Sequence, residues 1–466
     1  MRKRRFILRG LAAVVLLVVV VLSAFLHQIV LPIIAGYTAK VFTSAYFVAG
    51  RPEAQIVSED VAQYIDYFNW AIDEDAKSVT VSFYGLASRT ARFFPGIGVT
   101  LLPIGADTVN FDTAFVPTPI PENDNTVPWP DGNGAVVDSL DPGARTALDD
   151  SVAWAFQEPG GDVLLQTRAV LVVHEGKLIA ERYAEGTTRE TPLLGWSMSK
   201  SVTAALVGLL VKEGKLDVMQ PAPVAEWQGP EDPRAAITLD MLLRMSDGLD
   251  YSEDYAGPFA DVLHMLYLSD DFGGYTASRT LAFPPDTHWN YSSGTANLVS
   301  RIVREAVGGT QSDYLNFPRE ALFKPLGMAS ALMEPDPSGT LVGSSYTYAT
   351  ARDWARFGQL YLQDGVWKGE RLLPEGWVAY NSTPTSDAPR GNYGAHWWLN
   401  AGVGEKGENP PMPTAPRDLF FASGHEGQFV IVVPSRNMVI VRLGLTTSGT
   451  FPLQEFIRRV VEAVPR

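Results

Sequence analysis

The chain has no cysteine. That excludes a disulfide framework, a thiolate metal site and a cysteine nucleophile. Basic residues are outnumbered, 37 Lys and Arg against 52 Asp and Glu, for a formal net charge of −15. Phosphate backbones select basic surfaces, so no nucleic-acid partner is expected. The six histidines are scattered, with no His-Glu-x-x-His and no pair at ligand spacing. Neither a metal nor a cofactor is therefore expected. Gly-x-Ser-x-Gly is missing too, because residue 199 is Ser, which disfavours an α/β-hydrolase elbow. No internal repeat is present.

Apolar material is abundant. Of 466 residues 46% are hydrophobic and 19% charged, enough for a large packed core. Met1 to Arg5 is basic, and Leu11 to Leu26 runs without charge or strong polarity. With Phe6-Ile7-Leu8 before it and Ile29 to Ile34 after it, the segment is long enough to span a bilayer. No Ala-x-Ala site follows, so an uncleaved anchor is favoured over a signal peptide. The basic end belongs in the cytoplasm. The expected placement is a single pass through the inner membrane, with the rest of the chain on the periplasmic side and the lipid bilayer as a partner.

The chain divides by composition into four stretches. Residues 1–35 are the basic end and transmembrane anchor. Residues 36–115 form a membrane-proximal segment of unknown role, with a helical pattern over Val61 to Ile72 and strand alternation over Ser78 to Tyr84. Residues 116–137 read as a Pro/Asn-rich exposed linker. Residues 138–466 form the main unit. Its order is helix, hairpin, long helical middle, hairpin, helix. The first hairpin flanks Glu175-Gly176 and the second flanks Pro434 to Asn437. Such an order predicts an α+β fold. A central antiparallel sheet carries the terminal helices on one face and a helical lobe on the other.

The chemistry centres on Gly195-Trp196-Ser197-Met198-Ser199-Lys200-Ser201. Apolar positions 202, 206, 209 and 210 continue it as a helix, so Ser197 sits at a helix start with Lys200 on the same face. An amine beside a hydroxyl is what a weak nucleophile needs, and a helix start offers free N–H groups to an oxyanion. Alone, Ser-x-x-Lys is weak, since a capping Ser with a surface Lys has the same pattern. Two further stretches give it weight. Tyr291-Ser292-Ser293 supplies a phenol that could relay protons if Lys200 helps to ionise it. Ser423-Gly424-His425-Glu426-Gly427-Gln428 precedes the last hairpin, and its Gln428 N–H could be a second oxyanion donor beside the Ser197 N–H.

Together these three stretches resemble the serine β-lactamase and penicillin-binding-protein superfamily. Tyr291-x-Ser293 stands where many members have Tyr-x-Asn, and His425-x-Gly427 where they have Lys-Thr-Gly. Leu243 to Leu249, Pro325 to Met328, Ala351 to Gly358, Tyr393-Gly394 and Trp397-Trp398 match the branch that holds 6-aminohexanoate-dimer hydrolases and family VIII-like esterases. The resemblance covers residues 138–466 and implies a β-lactamase/transpeptidase-like fold. It also implies a hydrolase acting on a small-molecule ester or amide through Ser197, Lys200 and Tyr291. His425 in place of Lys removes the fixed positive charge that meets a β-lactam carboxylate. A D-Ala-D-Ala carboxypeptidase or β-lactamase is therefore the rival reading, and a catalytically silent binding homologue a second. Substrate contacts are expected from Ser293, His425, Gly427, Tyr251, Tyr255, Ser345 and Trp397.

Overall fold

The computed structural model describes residues 2–137, 139–161, 163–229, 231–404, 406–446 and 451–465. Asp138, the expected start of the main unit, lies outside the described residues, as does Met1.

Helix α1 (Arg2–Phe25) carries Leu11, Val14, Leu17 and Val21, all more than half exposed. A single π-helical turn, Leu26–Val30, joins it to α2 (Leu31–Phe47). Leu26–Phe47 is long and apolar enough to cross a membrane, yet two-thirds of it is buried inside the fold. Residues 31–35, expected as part of an anchor, thus pack within the fold. Ile33 and Ala35 are core residues, and the solvent-facing apolar stretch ends near Leu26.

Residues 36–115 do not stand apart either. Strands β1 (Asn69–Asp73), β2 (Ser78–Phe83), β3 (Leu86–Phe94) and β4 (Gly98–Leu101) form an antiparallel meander under α2. The helical pattern over Val61 to Ile72 is realised only at Ala62–Ile65, and the β-rich Asn69-Trp70-Ala71-Ile72 pairs with β2 instead. Buried Lys40 of α2 is ion-paired with buried Glu334, which also accepts from Ser44 Oγ (3.0 Å) and Val99 N–H (2.8 Å). Arg168 reaches Glu59 (2.8 Å) and Asp60 (3.0 Å). The stretch 116–137 lacks regular structure but is strapped down: Trp129 is buried, and Arg356 donates to Gly132 O (2.7 Å).

The main unit has the expected layers. Helix α3 (Pro142–Trp154) leads into the hairpin β5 (Thr167–His174) and β6 (Lys177–Tyr183). The helical middle contains α4 (Met198–Lys212), α5 (Asp261–Leu268), α6 (Ser293–Val307) and α7 (Ala351–Leu362). Strands β7 (Trp398–Leu399), β8 (Phe420–Gly424), β9 (Gln428–Val433) and β10 (Met438–Gly444) precede α8 (Leu453–Ala463). Sheet order is β7-β8-β9-β10-β5-β6, all antiparallel, so the two ends of the unit meet where β10 pairs with β5. Alternation sorts the side chains. Val170, Val172, Ile431 and Ile440 face α3 and α8, while Leu171, Val173, Val430 and Val439 face α4 and α7.

Helix α7 lies so close to the sheet that a Cβ on Gly358 would meet Val439 Cγ1 at 2.6 Å and Val430 Cγ1 at 2.8 Å. Both neighbours are β-branched and locked in the sheet. Gly358→Ala is expected to destabilise the fold by about 1–3 kcal/mol through overpacking, despite the better helix propensity of Ala. Thermal unfolding of the variant measures this.

Candidate active site

Ser197 occupies the residue before α4, half-buried, and its hydroxyl does not cap the helix. Trp196, just before it, is held in the left-handed region at φ 46°. Such backbone strain in a non-glycine residue persists only where the surroundings fix it. Here the indole is clamped. It stacks on Tyr37 at 6.4 Å, lies 5.6 Å from the His425 ring and donates to Glu426 Oε2 at 3.2 Å. Gly195 is required for close approach, since a Cβ there would sit 2.4 Å from Trp354.

Lys200 is buried at 1% exposure, not on the surface as a plain helix start would leave it. Its Nζ donates to Ser197 Oγ (3.1 Å), Ser293 Oγ (3.1 Å) and Ser344 O (3.2 Å), so all three ammonium protons are used. Burial lowers its pKa to about 8, against a smaller opposing pull from Glu253. The ring of Tyr291 lies 4.7 Å from the same Nζ, and its hydroxyl interacts with the Ser197 side chain. Burial, with Glu253 adding to it, raises the Tyr291 phenol well above its ordinary value. The condition that Lys200 helps to ionise this phenol is not met, and Tyr291 rests neutral.

Glu253 was not singled out in the sequence. It accepts from Ser293 Oγ (2.5 Å), Ser293 N–H (2.8 Å) and Tyr255 OH (3.1 Å). It thus closes a chain Ser197–Lys200–Ser293–Glu253. Nothing local marks it, because it sits in the irregular loop after Gly248 and meets Ser293 only through the fold. Ser293, expected as a substrate contact, is buried against Lys200 and belongs to this chain of hydrogen bonds.

The remaining candidates separate. Tyr255, Ser345 and His425 line one cavity of about 500 Å³ with Ser197. The His425 ring opens to that cavity, and desolvation presses its pKa below the ordinary value, so it is neutral at pH 7. Tyr251 does not reach the cavity. It is buried, with its hydroxyl on Met265 Sδ (3.6 Å). Trp397 is a core residue stacked on Phe357 at 5.9 Å and close to Tyr361 at 4.3 Å. Gly427 shapes the turn at φ 80°, where a Cβ would strike Arg442. Gln428, expected as the second oxyanion donor, lines a neighbouring small cavity with Asp60 and Arg168 instead of the one at Ser197, and its side chain pairs with the Gly444 backbone. Buried Arg442 fixes this turn by donating to Glu426 O (3.0 Å) and Gly427 O (2.8 Å). Among the described residues no cluster fit to hold a metal occurs.

The arrangement is a hydroxyl on the cavity wall, with a buried amine of lowered pKa and a neutral phenol in contact with it. That set can add an oxygen nucleophile to a carbonyl and shuttle the proton released. The beta-lactamase family pattern matches residues 157–461. The 6-aminohexanoate-dimer hydrolase of Paenarthrobacter ureafaciens is 29% identical over 280 residues, covering 52% of this chain and 68% of that protein. Among solved structures, a family VIII carboxylesterase superposes with a TM-score of 0.52 at 14% identity, over 71% of this chain and 100% of the other. A penicillin-binding-protein homologue from Caulobacter crescentus gives 0.50 at 18% identity, over 70% and 98%. These two share the fold. With the family pattern spanning both the nucleophile stretch and the sheet behind it, the chain belongs to the beta-lactamase family and is a beta-lactamase-related serine hydrolase.

Proposed function

We propose that the protein is a membrane-anchored hydrolase that cleaves an ester or amide through a Ser-Lys-Tyr acyl-enzyme. The observation that carries this is the 3.1 Å contact between Lys200 Nζ and Ser197 Oγ, made by a buried amine of pKa about 8. Ser197 Oγ attacks the substrate carbonyl as its proton passes to Lys200. The tetrahedral oxyanion is held by the Ser197 N–H at the start of α4. The C–O or C–N bond then breaks, and Tyr291 protonates the leaving group while Lys200 restores the phenol's proton. Water attacks the acyl-enzyme, gives its proton back through the same groups, and frees the acid and Ser197. The neutral His425 offers no fixed cation to a substrate carboxylate, which favours this reading over a penicillin-recognising enzyme. The exposed apolar face of α1 supports the anchor.

A phosphonate ester probe tests the assignment: its mass is expected on the peptide containing Ser197 and on no other. Glu253 acts as a positioning residue that holds Ser293 against Lys200 and favours the ammonium form. Glu253→Gln removes the anion and keeps the shape. The amine then loses its proton more readily, so the acid limb of kcat/KM is expected to move down by roughly 1 pH unit. An unmoved limb would remove Glu253 from the site.

A further inference from the structure

The cavity above Ser197 has a shape that the hydrolysis of a small ester does not require. Its wall includes Val30, Ile33, Ile34 and Tyr37 of the α2 region. Those positions follow i, i+3, i+4, i+7 spacing, so one face of a single helix runs along the cavity. At 1.5 Å per residue the run is about 10 Å long. Leu263 and Leu266 of α5 also line it. The two ends differ. At one end Tyr37 stacks on Trp196, next to Ser197. At the other, Val30 and Pro258 sit beside Phe25 and Phe259, whose rings stack at 4.9 Å. Phe259 is 69% exposed there, and from Phe25 the chain continues into α1, whose described apolar side chains face outward.

We infer that this cavity is a slot for a long apolar chain, and that the substrate is an ester or amide bearing such a chain. Its carbonyl lies at Ser197, and its hydrocarbon runs along Val30, Ile33 and Ile34 toward the Phe25–Phe259 lip. The lining is aliphatic at Val30, Ile33, Ile34, Leu263 and Leu266, while Tyr64 and Tyr267 pack against Tyr37 toward the Ser197 end, and Gln63 adds an amide. The lip opens where the exposed apolar helix begins, so a chain leaving the slot meets further apolar surface. This inference rests on the Ser197 assignment and extends it.

The experiment uses the full chain purified in detergent. A short phosphonate first establishes that Ser197 is labelled. Two homologous series follow, p-nitrophenyl alkanoates from acetate to dodecanoate and alkyl acetates of the same lengths, which place the chain on the acyl or the alcohol side. In one series kcat/KM is expected to rise about fourfold per methylene buried and to level off once the chain reaches the lip. Ile34→Trp, which blocks the slot midway, is expected to move the optimum to shorter chains. A flat response in both series, with Ser197 still labelled, would overturn the inference and leave the hydrolase standing. Failure of labelling would remove both. A fluorogenic long-chain ester embedded in phosphatidylcholine vesicles with the protein distinguishes the sources. Turnover there assigns the bilayer, and turnover in micelles alone assigns a soluble amphiphile.

Discussion

Ser197→Ala is expected to lower kcat for p-nitrophenyl ester hydrolysis by at least about 10,000-fold and to abolish labelling by a phosphonate probe. The expected loss is large because the oxygen removed is the atom that forms the acyl bond. It is also clean. The Ser197 hydroxyl makes no cap bond to α4, and its contact with Lys200 is replaceable by water in an open cavity. Thermal stability should therefore stay within about 0.5 kcal/mol of the parent. Full labelling of the alanine variant would end the proposed mechanism, whatever the residual rate.

Lys200→Met comes second. Met fills most of the side-chain volume without the amine, and the expected loss in kcat/KM is about 100- to 10,000-fold. The pH profile supplies the sharper reading. Only the neutral amine accepts the Ser197 proton, and its pKa is about 8. In the parent enzyme kcat/KM should fall about tenfold per pH unit below 8 and flatten above it. The variant should lack that limb between pH 6 and 9. Stability moves with the same proton. Burial lowers the folded pKa below the unfolded value near 10.4, so the unfolded chain binds more protons between the two. Parent stability should thus climb as pH rises from about 8 toward 10.4, by on the order of 3 kcal/mol. The Met variant should lose the climb. A parent profile with no limb near 8 would place the base elsewhere.

Much of this was legible because it is local. The two hairpins and the terminal helices are written in alternation and helical spacing, and the sheet follows from their order. Ser197 and Lys200 are three residues apart, so one turn of helix brings them together in any fold that forms it. Glu253 was hidden for the opposite reason: its partner lies forty residues on, and an irregular loop carries no period. Trp397 misled because an aromatic near a motif looks the same whether it faces a substrate or Phe357. The wall supplied by α2 is not legible as such, because its apolar residues are continuous with a run long enough to span a bilayer. The repeat of Val30, Ile33, Ile34 and Tyr37 was nonetheless on view as a helix with two apolar duties.

The ion pair between Lys40 and Glu334 bears on how much of the N-terminal chain this enzyme can lose. A cut between residues 44 and 115 that released everything before it would strip Lys40 and Ser44 from Glu334 and leave a carboxylate stranded in the core, at a cost of about 3–5 kcal/mol. The same cut would remove one side of the cleft over Ser197. Proteolysis in that stretch is thus a route to inactivation. An active truncated version has to begin no later than Leu31, at the end of the short π-helical joint, where little of the fold is yet engaged.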